Sequence, residues 1–278
     1  MVSMQDQART QPGHIRSGMG GWTYAPWRNN FYPAGLVQRR ELEYASRQVT
    51  AIEINGTYYK AQSRETYEKW AAETPAGFVF SVKAPRSIVQ TKTLGHAGEQ
   101  IERFVEGIVS LGDRLGPILW QLLPTRVFDP EAIGAFLDLL PAKVGQLSLR
   151  HAVEVRHESF RCEAYLALAR KHGVATVFTD SPNYPSFADL TGDFVYARLM
   201  RSRAGEETGY PAHELATWAR RADEWAKGGD PADLPHAGKP GQKHAGRDVF
   251  LYFISAAKER NPAAAIALLQ LPGMSKAS

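Results

Sequence analysis

The sequence has little of what holds small secreted or metal-dependent folds together. It contains one cysteine, Cys162, among 278 residues, so an intramolecular disulfide is excluded. A chain of this length buries enough apolar surface to fold without disulfides or structural metals. Because a single thiol also suits a reducing compartment, we expect a cytoplasmic protein.

Long apolar runs and concentrated charge are also absent. The longest apolar stretch near the C-terminus, Ala263–Leu269, is far shorter than the roughly 18 residues of a membrane span, so we expect no membrane association. Residues 1–14 are polar and lack the apolar core of a secretory signal. We expect this segment to be disordered, with a short tail at 272–278.

The net charge is mildly positive, at +4. This permits a small anionic ligand, but a nucleic-acid-binding protein needs basic residues clustered on one face. The charge therefore favours a small anion as partner and leaves nucleic acid open as a less favoured one.

Short apolar, β-branched or aromatic segments alternate with helical periods along the chain, which is typical of buried parallel strands. The eight predicted strands are His14–Met19, Ala51–Asn55, Phe78–Lys83, Ile118–Leu122, Ala152–His157, Ala175–Asp180, Phe194–Leu199 and Val249–Phe253. Eight strand–helix repeats predict an α/β protein with a single-domain, TIM-like (β/α)₈ barrel over residues 15–271. An open doubly wound sheet is the alternative.

Capping residues and glycines indicate where the elements between strands begin and turn. Ser63 is placed to cap one helix, and Asp129 and Asn261, each followed by proline, are placed to cap two others. We interpret the glycine-rich segment 18–21 as a tight bend that lets the backbone approach the barrel mouth.

Polar residues recur at alternate positions of strands that should otherwise be apolar. Alternate side chains of a strand share a face, so we expect the polar face to point into the barrel lumen. The pairs are Glu53 with Asn55, Ser81 with Lys83, Glu154 with Arg156 and Tyr196 with Arg198, and Gln121 and Asp180 lie near two further strand ends. Because barrel enzymes place their chemistry at the C-terminal mouth, these residues predict one polar pocket there.

Such a pocket suits a hydrolase, lyase or isomerase acting on a small anionic, phosphorylated or sugar-like substrate. In this hypothesis Glu154 or Glu53 is the general base, with a pKa lowered by neighbouring cations. Lys83, Arg156 and Arg198 stabilise negative charge. Alternatively, Lys83 forms a Schiff base, if its neighbours lower its pKa.

Other polar and aromatic residues are expected to position the substrate. Asn55, Tyr58 and Gln121 would orient it, and Asp180 would contact it from the end of the sixth strand. Trp22, in the first loop, would stack on a sugar or base. Alternatively, the loop aromatics form an apolar plug that anchors the loop.

Two alternatives give the charged residues no part in metal-free catalysis. Three acids (Glu53, Glu154 and Asp180) and three bases could form a purely structural salt-bridge network. The same acids could bind Mg²⁺ or Mn²⁺ for phosphoester or sugar chemistry. The adjacent cations oppose a metal, and of eight histidines only His157 follows a strand end, so we expect no metal or other cofactor.

A non-catalytic ligand- or nucleic-acid-binding module is a further alternative. Basic residues of the last two units could form a phosphate-binding patch, although such residues are more often a solvated surface. They are Arg201, Arg203, Arg220, Arg221, Lys239, Lys243 and Arg247. The sequence leaves open whether the protein is an enzyme, and it leaves the oligomeric state open.

Several groups of residues along the chain form recognisable motifs. They are Ser17–Trp22 with Trp27 and Phe31–Pro33, Glu53–Asn55 with Thr57–Tyr59, Trp70, Phe80–Lys83, Leu119–Pro124, Glu154–His157, Val195–Leu199 and Asp248–Phe253. Together they resemble the family known as domain of unknown function 72, the YecE-like proteins, over roughly Ile15 to Leu269. The resemblance implies a TIM-barrel-like fold and no settled activity.

The chain departs from that family pattern at two strand ends. Where the family usually has His-Gly after Leu199, this chain has Met200 and Arg201. Where it usually has Asn or Asp after Phe253, this chain continues with Ile254 and Ser255. Because polar groups at these positions would face the pocket, the departures put any shared activity in question.

Overall fold

Nine short strands form one parallel sheet in the computed structural model, which describes residues 11–239 and 245–274. The strands are β1 (Ile15–Gly20), β2 (Ala51–Ile54), β3 (Val79–Lys83), β4 (Leu115–Gln121), β5 (His151–Glu154), β6 (Ala175–Thr176), β7 (Phe178–Thr179), β8 (Phe194–Leu199) and β9 (Asp248–Phe253). Their order in the sheet is β6-β5-β4-β3-β2-β1-β9-β8-β7.

The two ends of this order are consecutive pieces of one strand, so the sheet closes into a barrel. β6 pairs with β5 and β7 pairs with β8. Between them the Val177 N–H donates to the Val153 carbonyl at 3.0 Å. The predicted sixth strand is therefore interrupted at Val177. The closed ring confirms the TIM-like barrel and excludes the open doubly wound sheet.

Helices cover the outside of the ring. In the described residues they are α1 (Glu41–Gln48), α2 (Arg64–Glu73), α3 (Arg86–Val89), α4 (Gly98–Ile108), α5 (Pro130–Asp138), α6 (Glu163–Lys171), α7 (Ala212–Ala226) and α8 (Asn261–Leu269). An unpredicted hairpin, Lys143–Val144 with Leu147–Ser148, precedes β5. None of the helices seen in the described ranges is long and apolar enough to cross a bilayer.

Two of the three predicted N-caps are confirmed. Ser63 Oγ accepts the Thr66 N–H at 3.3 Å, and Asp129 Oδ1 accepts two backbone N–H groups at the start of α5. The prediction for Asn261 is wrong, because this residue is the first of α8 and caps nothing. Its side chain instead accepts from the Ser202 hydroxyl and donates to the Ser255 carbonyl, which ties together the loops after β8 and β9.

The glycine-rich segment is mostly strand, so its interpretation as a tight bend is wrong for Gly18 and Gly20. Both lie within β1. A Cβ on Gly18 would stand 1.7 Å from the Ala51 carbonyl oxygen, and one on Gly20 would stand 2.9 Å from Asn55 Nδ2. Only Gly21, with φ +74°, has the backbone conformation of a glycine turn.

The barrel interior below the mouth is filled with apolar and aromatic side chains. They form a cluster separate from the larger one between sheet and helices, and they include Ala51, Val79, Leu119, Ala152, Phe194, Tyr196, Phe250 and Tyr252. Since the lower lumen is a packed core, the polar residues of the strands are left to the C-terminal end.

The predicted terminal segments fall partly outside the described residues, which omit 1–10 and 275–278. Of the remainder, the Gly13 and His14 N–H groups donate to the Ala226 carbonyl and to Asp248 Oδ1, each at 2.9 Å. Met274 is buried.

Candidate functional site

A buried arginine joins two carboxylates across the barrel. Arg198 of β8 donates from Nε and Nη2 to Glu53 of β2, both at 3.0 Å, and from Nη1 to Glu154 of β5 at 2.5 Å. All three side chains are at most 3% exposed. β2 stands three places from each of β5 and β8 in the ring, so the network spans the lumen.

Glu53 is held by two further donors. The Tyr196 hydroxyl donates to its Oε2 at 2.7 Å, and Asn55 Nδ2 donates to its Oε1 at 2.9 Å. Each oxygen therefore accepts two hydrogen bonds, counting those from Arg198. A buried carboxylate satisfied in this way fixes the position of the arginine.

Glu154 also accepts hydrogen bonds at both oxygens. Gln121 Nε2 donates to its Oε2 at 3.0 Å and Arg156 Nε donates to its Oε1 at 2.6 Å. Burial alone would raise the pKa of Glu154, but Arg198, Arg156 and the Gln121 hydrogen bond lower it to about 2. The direction is as predicted. So weak a base, with both oxygens engaged, is better suited to holding the arginines than to accepting a proton.

The low pKa of Glu154 predicts a pH dependence of stability. The folded-state pKa lies below the ordinary 4.5, so the ionised group stabilises the native state above pH 4.5, and this is lost as pH falls toward 2. The full contribution is about 3 kcal/mol. Urea unfolding of wild type and Glu154→Gln should show a stability difference at pH 7 that narrows steadily below pH 4.5. A difference independent of pH would contradict this.

Lys83 is the exception among these charged groups. Its Nζ lies 4.1 Å from the ring centre of Tyr58, and it forms no hydrogen bond or ion pair with any described residue. Burial, with the charges of Arg198 and Arg156, lowers the pKa of Lys83 to about 8, and Glu53 and Glu154 only partly oppose this. Its amine is therefore partly neutral at physiological pH.

Arg156 also has free donors. Its guanidinium stands 4.1 Å from the ring centre of Tyr184, and its Nε is bound to Glu154. Its Nη groups donate to no described residue. The guanidinium is thus held in place by one hydrogen bond and one ring, with its outer edge open to a ligand.

A cleft of about 410 Å³ opens over this network. It is lined by Gly20, Asn55, Tyr59, Lys83, Gln121, Arg156, Arg198, Ile254, Ser255, Lys258 and Asn261. Five of these were predicted as site residues: Asn55, Lys83, Gln121, Arg156 and Arg198. Among the described lining residues four are cationic and none is acidic. The two carboxylates behind them, Glu53 and Glu154, therefore leave two positive charges in excess within this part of the chain.

Residues 16–278 match the family described as "Protein of unknown function DUF72". The chain belongs to this family. It is also 27% identical over 157 residues to UPF0759 protein YunF of Bacillus subtilis (strain 168), covering 52% of this chain and 52% of YunF. The chain thus spans about half the length of this curated relative.

Solved structures of DUF72 proteins share the barrel. The protein TM1631 from Thermotoga maritima MSB8 has a TM-score of 0.70 at 22% identity, covering 92% of this chain and 97% of that one. The protein EF0366 from Enterococcus faecalis V583 has a TM-score of 0.70 at 16% identity, covering 95% and 97%. Both likenesses concern the fold.

The loop after β9 of this DUF72 protein supplies cleft residues that the sequence pattern missed. Lys258 lines the cleft, and its Nζ lies 4.3 Å from the ring centre of Tyr24. Ser255 and Ala256 have left-handed φ angles of +58° and +47°. Asn and Asp adopt this region more readily than Ser or Ala. Strand alternation ends with the strand, so it carries no signal for this loop.

Besides Glu53 and Glu154, which lie behind the lining, three predicted site residues do not line the cleft. Tyr58 lies behind Lys83, and its hydroxyl accepts from Gln90 Nε2 at 2.6 Å. The neighbouring Tyr59 lines the rim instead and is 72% exposed. Trp22 packs against Trp70 with ring centres 4.9 Å apart, which fits the alternative in which the aromatic residues anchor the loop.

Asp180 is the third of these predicted residues that lie outside the cleft. It lines a separate cleft of about 460 Å³ between the barrel and α7, and its Oδ1 accepts the Met200 N–H at 2.6 Å. Burial raises the pKa of Asp180 to about 6. The structure therefore does not bring Asp180 to the shared pocket with Glu53 and Glu154.

Most of the residues considered for nucleic-acid binding are paired with acids or buried, and the described acidic residues do not group into a metal site. Within residues 11–239 and 245–274, no three His, Cys, Asp or Glu side chains are grouped closely enough to hold a metal ion. Of the basic patch, Arg203, Arg220 and Arg221 pair with acidic side chains, and Arg247 is buried. Lys243 lies outside the described residues.

Proposed function

We propose that the cleft of this DUF72 protein binds a small organic anion, phosphorylated or sugar-like, and that the protein acts on it as a metal-free enzyme of the lyase, isomerase or hydrolase kind. The observation that carries this proposal is the excess of positive charge. Arg198 is neutralised by two carboxylates, whereas Lys83 forms an ion pair with none of the described acidic residues. A buried cation without a paired counter-charge is costly, and an anionic ligand offsets that cost.

The buried network supports this function by positioning its donors. Glu53 and Glu154 hold Arg198, and Glu154 also holds Arg156 with its Nη groups open. A purely structural network would need neither Lys83, which forms no ion pair with a described residue, nor Arg156, which uses only its Nε for a hydrogen bond within the network. The network thus preorganises cations before the ligand arrives, which is how a polar site stabilises developing negative charge.

An aromatic rim favours a ligand with a sugar-like body. Tyr59 stands largely exposed with its ring 5.2 Å from that of Tyr58, edge to face. A large aromatic face left in water at a cleft is suited to the apolar face of a sugar ring. The charge and the rim together suit a phosphorylated sugar better than inorganic phosphate. The expected cytoplasmic location belongs to the same proposal and rests on the single cysteine.

The proposal predicts the effect of Arg156→Ala on anion binding. Removing the open guanidinium should weaken binding of glucose 6-phosphate by about 10-fold or more, because a hydrogen bond to a charged group contributes about 1.5–3 kcal/mol. Isothermal titration calorimetry measures this, with glucose as the neutral ligand. Arg64→Ala, at an exposed arginine of α2, is the matched control and should leave affinity unchanged.

Three results would count against the proposal. The first is no binding of either glucose 6-phosphate or inorganic phosphate to the wild-type protein. The second is equal affinity for glucose and its phosphate. The third is an Arg156→Ala variant that binds as the wild type does, with the fold of both checked by circular dichroism.

A further inference from the structure

We infer that Lys83 is the reacting group of the cleft and that it condenses with the carbonyl carbon of the bound anion to form an imine. The substrate class is therefore a small anionic aldehyde or ketone, such as a phosphorylated sugar in its open-chain form. This inference rests on the proposed function, since the anion-binding cations are what bring the carbonyl to the lysine.

The first observation is that the network leaves Lys83 out. Both carboxylates near it form ion pairs with arginines: Glu53 with Arg198, and Glu154 with Arg198 and Arg156. The Nζ of Lys83 lies beyond ion-pairing distance of either carboxylate. Two arginines, which stay charged, thus occupy the acids that would otherwise keep a lysine protonated.

The second observation is how Lys83 is placed. It is the last residue of β3, it lines the cleft, and it is only 9% exposed. The aromatic ring under its Nζ belongs to Tyr58, whose hydroxyl is anchored by Gln90. An aromatic face attracts the ammonium form but accepts no conventional hydrogen bond from it. The amine is held in position without being bound.

These surroundings explain the low pKa of the Lys83 amine. The charged groups facing Lys83 come from three strands: Glu53 of β2, Glu154 and the following Arg156 of β5, and Arg198 of β8. Burial and the two arginines favour the neutral amine more than the carboxylates favour the ammonium ion. With its pKa at about 8 rather than 10.5, half of Lys83 is neutral near pH 8, and only the neutral amine is a nucleophile.

The chemistry balances without any further reactant. The neutral amine attacks the carbonyl carbon, and the carbonyl oxygen becomes a hydroxyl by taking up a proton. Loss of that oxygen as water forms the carbon–nitrogen double bond. Overall, the ammonium form and the carbonyl compound give a protonated imine and one water molecule. The protonated imine then withdraws electrons from the adjacent carbon, which suits cleavage of a bond to that carbon and hence a lyase or an isomerase.

The test uses pyridoxal 5′-phosphate, an anionic aldehyde, with pyridoxal as the matched aldehyde without phosphate. The full-length protein is incubated with each probe, the imine is reduced with borohydride, and the modified lysine is mapped by peptide mass spectrometry. We expect Lys83 to be labelled at about 10-fold lower concentration by the phosphorylated probe. The exposed Lys171 of α6 should label at high concentration and equally with both probes.

Variants and pH provide the controls. Lys83→Met should remove the cleft label, and Lys258→Arg should keep it, because Lys258 is the other lysine of the same cleft. Labelling of Lys83 should rise with pH around a midpoint near 8. A purely structural lysine would show no such midpoint. Mapping on the wild-type protein gives the answer even if a variant fails to fold.

The outcomes separate the two proposals. Selective, phosphate-dependent labelling of Lys83 supports both. Labelling of Lys83 to the same extent by both probes supports the imine and overturns the anion site. Binding of glucose 6-phosphate without any label on Lys83 overturns the imine and leaves the anion site standing. Absence of both overturns both.

Discussion

Arg198→Met is expected to unfold the barrel or to leave it barely stable. The substitution leaves Glu53 and Glu154 buried in the lumen without their shared cation. Removing one partner of a buried ion pair costs about 3–5 kcal/mol, and here two carboxylates lose their partner at once. This loss is a large part of a total free energy of unfolding of about 5–15 kcal/mol. Urea unfolding followed by circular dichroism measures it.

Tyr196→Phe is the matched control for Arg198→Met. It removes one hydrogen bond to Glu53 Oε2 from the neighbouring alternate position of β8 and keeps the buried ring. The expected loss is about 1 kcal/mol, the usual contribution of one hydrogen bond. If Arg198→Met proved no less stable than Tyr196→Phe, the carboxylates would not depend on the arginine, and the preorganised network would have no energetic basis.

Gly18→Ala is expected to disrupt the pairing of the first two strands. Gly18 is in register with Ala51 of β2, and a Cβ would stand 1.7 Å from the Ala51 carbonyl oxygen. Backbone cannot rotate out of the way as a side chain can, so one strand must move in a barrel where every strand has two neighbours. The expected loss exceeds about 3 kcal/mol, beyond the usual range for a point substitution.

Gly56→Ala isolates the steric cause. This glycine follows β2, and a Cβ there would meet no atom within 4 Å. The change should be neutral or stabilising by about 0.4–1 kcal/mol, since it lowers the entropy of the unfolded chain. Thermal unfolding of Gly18→Ala and Gly56→Ala gives the two melting temperatures to compare. Equal melting temperatures would mean that the barrel absorbs the extra carbon and that strand packing at Gly18 is loose.

Much of the fold and about half of the site could be predicted. Apolar segments at regular intervals predicted the strands, because parallel strands buried on both faces must be apolar. Alternation within β2, β3, β5 and β8 placed Glu53, Lys83, Glu154 and Arg198 on the lumen side. The C-terminal positions of these residues placed them at one mouth. Each inference depends only on the two-residue period of a strand.

Asp180 and Lys258 could not be placed in the same way. Asp180 follows the last residue of β7 and lies in the cleft beside α7. Lys258 lines the mouth after the chain passes through the left-handed residues Ser255 and Ala256 that follow β9. Loop direction depends on dihedral angles that have no periodic signature.

From the amino-acid pattern alone one can predict a barrel whose strands direct acids and bases to a single mouth, because burial imposes a period on every strand. Which charge stays unpaired depends on the folded barrel. Arg198 binds two carboxylates on strands far apart in the chain, and Arg156 binds the second oxygen of one of them. The amine of Lys83 binds neither carboxylate and lies above an aromatic ring. Which ion pairs form depends on the distances between side chains across the lumen, and closure of the barrel sets these distances.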